Sequence, residues 1–207
     1  MKMDADYILF AQINTPFIPE TDWLVSQYYP KEIIREKYGT GYYTLGKKGT
    51  TETDPVSYIT ETDFEAPTSG WSYHAAGLDT MLSYSGRYSN KLDSVNIYSS
   101  TFTTRVSALP KSGRKYFRIS LHAMNGPGAD ALIVYEVIRK DKTAVWYATH
   151  LNDMIAIEDQ WSKVCMIKYP YERLRNDDVL KIYVWNNSKG NAWIDAFKVE
   201  LAESNSH

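Results

Sequence analysis

Cysteine is almost missing from this chain: Cys165 stands alone among 207 residues. No internal disulfide can form, so the fold must be held by a buried core, and in a β-rich run Cys165 itself reads as a small buried hydrophobe. No apolar run approaches the roughly 20 residues of a membrane span, and the N-terminus lacks the charged start and apolar core of a signal peptide. Membrane insertion by this chain is therefore not expected. Either the protein is made without an export signal or it is part of something larger, in which case an extracytoplasmic place is expected. There is no surplus of positive charge either. Lys+Arg 23 against Asp+Glu 25 gives a formal charge of −2, which leaves little to neutralise phosphates and argues against nucleic acid. Familiar catalytic signatures are also lacking. There is no H-E-x-x-H and no G-x-S-x-G, and GTGYYTLG at Gly39–Gly46 misses the spacing of a nucleotide-binding glycine loop.

What is abundant is polar aromatics. The chain carries 17 Tyr and 6 Trp but only 6 Phe, so most rings have a hydrogen-bonding handle and suit half-wet sheet faces or ligand grooves. Tyr is also simply a good strand former. At this length one sizeable domain plus an extension is expected.

The pattern divides near residue 58. Residues 1–58 read as an extension: a short strand at Tyr7–Ile13, two short helices at Asp22–Tyr29 and Pro30–Tyr38, then a Gly-, Thr- and Lys-rich linker at Gly39–Asp54. From Tyr58 the chain alternates strand-like runs with Gly, Pro, Asn and Asp turns and no interleaved helices, the signature of an antiparallel β-sandwich, here a jelly roll. Strands are expected at 58–65, 89–93, 99–106, 116–124, 131–139, 144–150, 162–168, 179–186 and 193–201. Residues 59–202 form the expected sandwich and 203–207 a disordered tail. The clearest stretch is Asp177–Leu201. Leu180, Ile182 and Val184 alternate against Lys181, Tyr183 and Trp185, and NNSKGN reads as the turn of a closing hairpin.

DFEAPTSGW at Asp63–Trp71, YSGRYSNKLD at Tyr84–Asp93, Trp161 ahead of a strand, and LKIYVWN followed by AWIDAFKVEL together resemble the galactose-binding-like jelly rolls. That group includes many carbohydrate-binding modules of secreted polysaccharide-degrading enzymes. The resemblance spans roughly Ile59–Leu201. It implies a non-catalytic module that binds an oligo- or polysaccharide, and a structural calcium held at the sandwich edge by Glu65 and Asp195, with Asp63 and Asp93 as further oxygen donors. Calcium takes 6 to 8 hard oxygen ligands. The other reading of the same carboxylates is that they bond nearby backbone amides.

Two ligand surfaces are open to the sequence. One is a sheet face carrying Tyr183 and Trp185, with Arg118, Ser120 and His122 on the polar side of their own strand and Tyr135 and Trp146 nearby; rings stack on pyranoses while the polar groups bond hydroxyls. The other is an end loop with Trp71, Tyr73 and His74, beside an acidic loop at 152–160. Strand 131–139 is apolar on both faces, so the first surface could instead be covered by residues 1–58. That arrangement would make the chain an accessory or interaction domain of a larger polypeptide or surface complex. A glycan-cleaving enzyme needs two facing carboxylates. Glu61, Asp63, Glu65, Glu136, Asp153, Glu158 and Asp159 are the candidates, and nothing in their spacing singles out a pair.

Overall fold

In a computed structural model, the structure describes strand residues 7–12, 28–35 and 41–47, and residues 55–111, 115–155, 157–170 and 173–203. The chain divides into two compact units, Met1–Asp54 and Pro55–His207. The first is a three-stranded antiparallel sheet of β1 (Tyr7–Gln12), β2 (Tyr28–Arg35) and β3 (Gly41–Lys47), in the order β1-β3-β2. This corrects the helix expected at Pro30–Tyr38 and the linker expected at Gly39–Asp54. Residues 30–35 pair with β3, and Pro30, which cannot donate a ladder hydrogen bond, sits at a register shift. The β-branched and aromatic content of YYPKEIIR and GYYTLGK outweighs the proline and glycine punctuation on which the helix and linker expectations leaned. Residues 22–27 and the tail 204–207 lie outside the described residues.

The second unit begins at Pro55, a few residues before the expected boundary. Its strands are β4 (Val56–Thr62), β5 (Leu78–Asp79), β6 (Ser89–Leu92), β7 (Phe102–Arg105), β8 (Lys115–Asn125), β9 (Ala131–Arg139), β10 (Lys142–His150), β11 (Ser162–Lys168), β12 (Val179–Asn186) and β13 (Ala192–Glu203). They form two antiparallel sheets. One runs β10-β9-β12-β7; the other runs β11-β8-β13-β6-β5, with β4 also paired to β13. Inner-face residues of both sheets, among them Ile119 and Leu121 of β8, Ile133 and Val137 of β9, Leu180, Ile182 and Val184 of β12, and Ile194, Phe197 and Val199 of β13, make one continuous core. All-β alternation with a polar outside and an apolar inside is the pattern of a β-sandwich.

The pattern of β12 is as expected, but the hairpin is not. β12 pairs with β9 and β7, whereas β13 pairs with β8, β4 and β6. Residues 186–191 therefore cross from one sheet to the other. Alternation tells which side of a strand is buried, not which strand lies beside it. Each of these two strands is apolar enough to occupy the middle of a sheet, and stacked sheets stand only about 10 Å apart. The crossing is docked on the loop after β8: the Asp130 amide donates to Ser188 Oγ at 2.9 Å and the Asn187 amide to the Asp130 carbonyl at 2.9 Å. A Cβ on Gly190 would collide with the backbone of Gly128 and Ala129, so this approach requires glycine. Asn186 is buried and its side chain donates to the Gly190 carbonyl at 2.7 Å; the N-x-S sequence at Asn186–Ser188 is thus structural and closed to glycosylation in the folded chain.

One buried ion pair locks the start of β12 to β9. Arg139 donates to both carboxylate oxygens of Asp178, at 2.8 and 2.7 Å, and Asp178 also accepts from the Arg175 amide at 2.8 Å. The hydrogen bonds from Arg139 hold the Asp178 carboxyl below the usual range. A depressed carboxylate stabilises the fold above its unfolded pKa, and that contribution disappears as pH falls through the folded value. Asp178→Asn is therefore expected to flatten the acid limb of the stability profile, measured as denaturant midpoint against pH below the ordinary carboxylate range. A limb unchanged from the parent chain would deny the pair that role.

Candidate functional site

The outer face of the four-stranded sheet brings together residues from three strands and one loop. Registry places Trp146 of β10, Glu136 of β9 and Lys181 of β12 in one row, and His150, Leu132 and Trp185 in another, with Val134 and Tyr183 between them. Tyr98, in the loop after β6, joins this edge through a bridge to Trp185. Val134 and Leu132 are buried although they face away from the sandwich core, because rings cover them. Trp146 and Trp185 meet edge to face at 6.3 Å, and Tyr98 and Tyr183 at 5.7 Å. Trp146 is 48% exposed and Tyr98 52%, so the rings form a platform that is dry beneath and wet above.

A polar chain fixes the platform. Tyr183 is hydrogen-bonded by Trp146 and donates its hydroxyl proton to Glu136 Oε2 at 3.3 Å, while Thr143 donates to Glu136 Oε1 at 2.7 Å. Burial, then the Glu136 charge, pushes the Tyr183 phenol up to about 12, so it stays a neutral donor at any physiological pH. At the rim, His150 Nδ1 lies 2.6 Å from Asp130 Oδ1. A ring platform held by a closed hydrogen-bond chain is preorganised for stacking, which reduces the ordering loss on binding.

Tyr98 also borders an open depression of about 460 Å³ lined by Tyr73, His74, Ala76, Val95 and Asn96 among others. Of the end-loop candidates, Tyr73 and His74 are here, but Trp71 is not. Its ring is buried between Phe102 and Phe197, with centroids 5.5 and 4.9 Å away, and its indole N–H donates to Thr60 Oγ1 at 2.9 Å.

Three of the expected sheet-face residues, Tyr183, Trp185 and Trp146, thus share one surface; the other three do not. Tyr135 points into the core beside Phe117, at 5.5 Å, because it falls in phase with Ile133 and Val137. Arg118 and His122 lie on β8, in the other sheet. Arg118 donates to the Tyr116 hydroxyl at 2.9 Å and pairs with Glu200 at 3.6 Å; His122 is stacked under Tyr84 at 3.5 Å. Burial lowers the His122 pKa and keeps the ring neutral. Tyr98 and Glu136 were not read as binding residues. Tyr98 lies in a short irregular run, NIYSS, where no periodicity marks a face, and Glu136 offered only a carboxylate among many.

The four expected calcium donors engage amides instead. Asp195 Oδ2 accepts from the Tyr84 and Ser85 amides, both at 2.9 Å, and Oδ1 from Ala196 at 2.6 Å; Glu65 Oε1 accepts from Arg87 and Tyr88, both at 2.7 Å. Asp93 Oδ1 accepts from Val95 and Asn96, both at 2.8 Å, and Asp63 Oδ1 from Glu65 at 3.1 Å. Among the described residues no three His, Cys, Asp or Glu side chains converge as a metal set. Asp195 thus commits both carboxylate oxygens to amides, and Glu65, Asp63 and Asp93 each commit one. The expected outcome with EDTA is an unchanged melting temperature; a fall of several degrees, restored by added calcium, would contradict it.

No family model matches the chain, and no curated protein matches it. Among solved structures it is similar to the xylan-binding domain CBM22-1 of Xyn10C from Paenibacillus barcinonensis, at 14% identity and a TM-score of 0.48, covering 75% of this chain and 99% of that one. It is also similar to the C-terminal family 22 carbohydrate-binding module of Xyn10B from Clostridium thermocellum, at 16% identity and a TM-score of 0.45, covering 75% of this chain and 100% of that one. A third is a family 16 carbohydrate-binding module, at 10% identity and a TM-score of 0.40, with 63% and 90% covered. These are carbohydrate-binding β-sandwich modules, the kind the sequence resembles. The likeness is one of architecture.

Proposed function

We propose that the outer face of the β10-β9-β12-β7 sheet binds a glycan chain without cleaving it. One observation carries this reading: Trp146, Trp185, Tyr183 and Tyr98 form a half-exposed ring platform locked by the Trp146–Tyr183–Glu136–Thr143 chain. An exposed indole face stacks on the apolar face of a pyranose, and the peripheral Glu136, Lys181 and His150 supply donors and acceptors for hydroxyls. The absence of cleavage is supported by the spacing of carboxylates. Glu136 on the platform and Asp130 at its rim lie six residue steps apart along the chain, roughly 20 Å in extended strand, well beyond the ~5 to 9.5 Å of a glycosidase pair. Xylan is the first probe, since the similar solved modules are described as xylan-binding. The reading is tested by affinity electrophoresis of the full chain in gels cast with xylan or with neutral β-glucans. Retardation in at least one gel, lost in a Trp146→Ala/Trp185→Ala variant that still folds, is expected. Equal migration with and without every glycan overturns it.

A further inference from the structure

We propose that the depression beside Tyr98 is a second subsite continuous with the aromatic face, and that the ligand is therefore an extended, uncharged polysaccharide chain rather than a terminal sugar. This rests on the glycan-binding reading of the face. The depression, about 460 Å³, falls within the ~300 to 1,000 Å³ of ordinary ligand pockets. Its continuity with the platform runs through one residue: the Tyr98 ring packs edge-on against Tyr183 at 5.7 Å, its backbone forms a β-bridge with Trp185, and Tyr98 lines the depression. Tyr73, 42% exposed, lines the same depression, so a sugar leaving the platform meets a further ring.

The walls are built rather than loose. The Asn90 side chain donates to the Gly77 carbonyl at 2.9 Å, the Asn96 side chain to Ala76 at 3.4 Å, and Asp93 Oδ1 ties the Val95 and Asn96 amides. Asn90 Oδ1 also accepts the Ser100 amide at 2.7 Å, and the Ser99 amide donates to Val184 of β12 at 2.9 Å. The loop that carries Tyr98 is thereby fastened to the strand that carries Tyr183 and Trp185. The lining contains no Asp, Glu, Lys or Arg. A uronate, a sulfated sugar or a phosphate would find no counter-ion there, whereas a neutral pyranose would find two phenols, an imidazole and an amide.

Calorimetry with trimers and hexamers of β-1,4-linked xylose and of β-1,4-linked glucose tests this. In at least one series the hexamer is expected to bind about tenfold tighter than the trimer, the gain of one further stacked sugar. Tyr73→Ala, which removes a ring, and Ala76→Tyr, which fills the depression, should each erase that gain and leave trimer affinity in place, with unfolding midpoints equal to the parent. Equal affinity for the two lengths, or a length gain that survives both variants, overturns the subsite while leaving the face reading intact. No binding by any of the four oligosaccharides removes both.

Discussion

Replacing Trp185 with alanine is expected to weaken glycan binding about 30-fold, roughly 2 kcal/mol, the size of a central aromatic anchor. Trp146→Ala should lose a comparable amount, and the double variant should bind more weakly than either single variant. Both rings stand on the outer face and neither belongs to the core cluster, so the fold should persist, with an unfolding midpoint lowered only by the uncovering of Leu132 and Val134. The two losses are not independent. Trp146 meets Trp185 edge to face at 6.3 Å and hydrogen-bonds Tyr183, so Trp146→Ala also frees the phenol that Glu136 holds. The double-mutant loss should then fall short of the sum of the singles. Calorimetry on all three variants checks this. A fully additive result would mean that the two indoles act as separate platforms.

Asp195→Ala is expected to destabilise the chain by about 3 kcal/mol, lowering the melting temperature by on the order of 10 °C. Asp195 is fully buried and accepts three amides, from Tyr84, Ser85 and Ala196. It does two things at once. It pins the loop at 82–88 onto the sheet, and it stabilises the bulge in β13, where Ala196 takes a left-handed φ of 48° and the register to β8 shifts. The bulge has a consequence for the fold, because on the edge away from β8 it divides β13 into a first half paired with β6 and a second half paired with β4. Asp195→Asn, which keeps one acceptor oxygen, should lose less. Burial raises the Asp195 pKa, with Glu65 adding to it and the amides opposing it. A raised carboxyl pKa means that the native state holds its proton longer than the unfolded chain. The contribution of this group is therefore largest below the unfolded pKa and falls as pH rises through the folded one, opposite in sign to that of Asp178. Denaturant midpoints of Asp195→Asn across the acid range should show that slope removed.

The alternation in 180–185 places Leu180, Ile182 and Val184 inside and Lys181, Tyr183 and Trp185 outside correctly, since a strand buried on one face must alternate whatever its neighbours are. The same logic puts Trp146, Tyr183 and Trp185 outside. It fails for Tyr135, whose polar handle suggested a face but whose phase with Ile133 and Val137 places it inside. Arg118 and His122 were read with Tyr183 because all are outward and polar, yet outwardness has two directions in a sandwich, and only pairing decides between them. Glu65 and Asp195, the carboxylates the sequence singles out, do meet at one loop, where they accept backbone amides, which every residue carries and no sequence pattern displays. Two strands of the N-terminal unit, β2 and β3, are not legible in the sequence for a related reason. Propensity is weak where short runs mix Pro, Gly and β-branched residues, and strand pairing between distant segments overrides it.

The platform claim is tested most directly by the indole N–H resonances of the ¹⁵N-labelled chain during titration with a neutral β-1,4-linked hexasaccharide. The account predicts that the Trp146 and Trp185 signals shift in step. Trp71, buried in the core, and Trp193, whose N–H is bonded to Asp79 at 2.8 Å, should stay in place, as should Trp161 beside Tyr84 near the opposite sheet. Shifts centred on Trp161, with Trp146 and Trp185 unmoved, would contradict it.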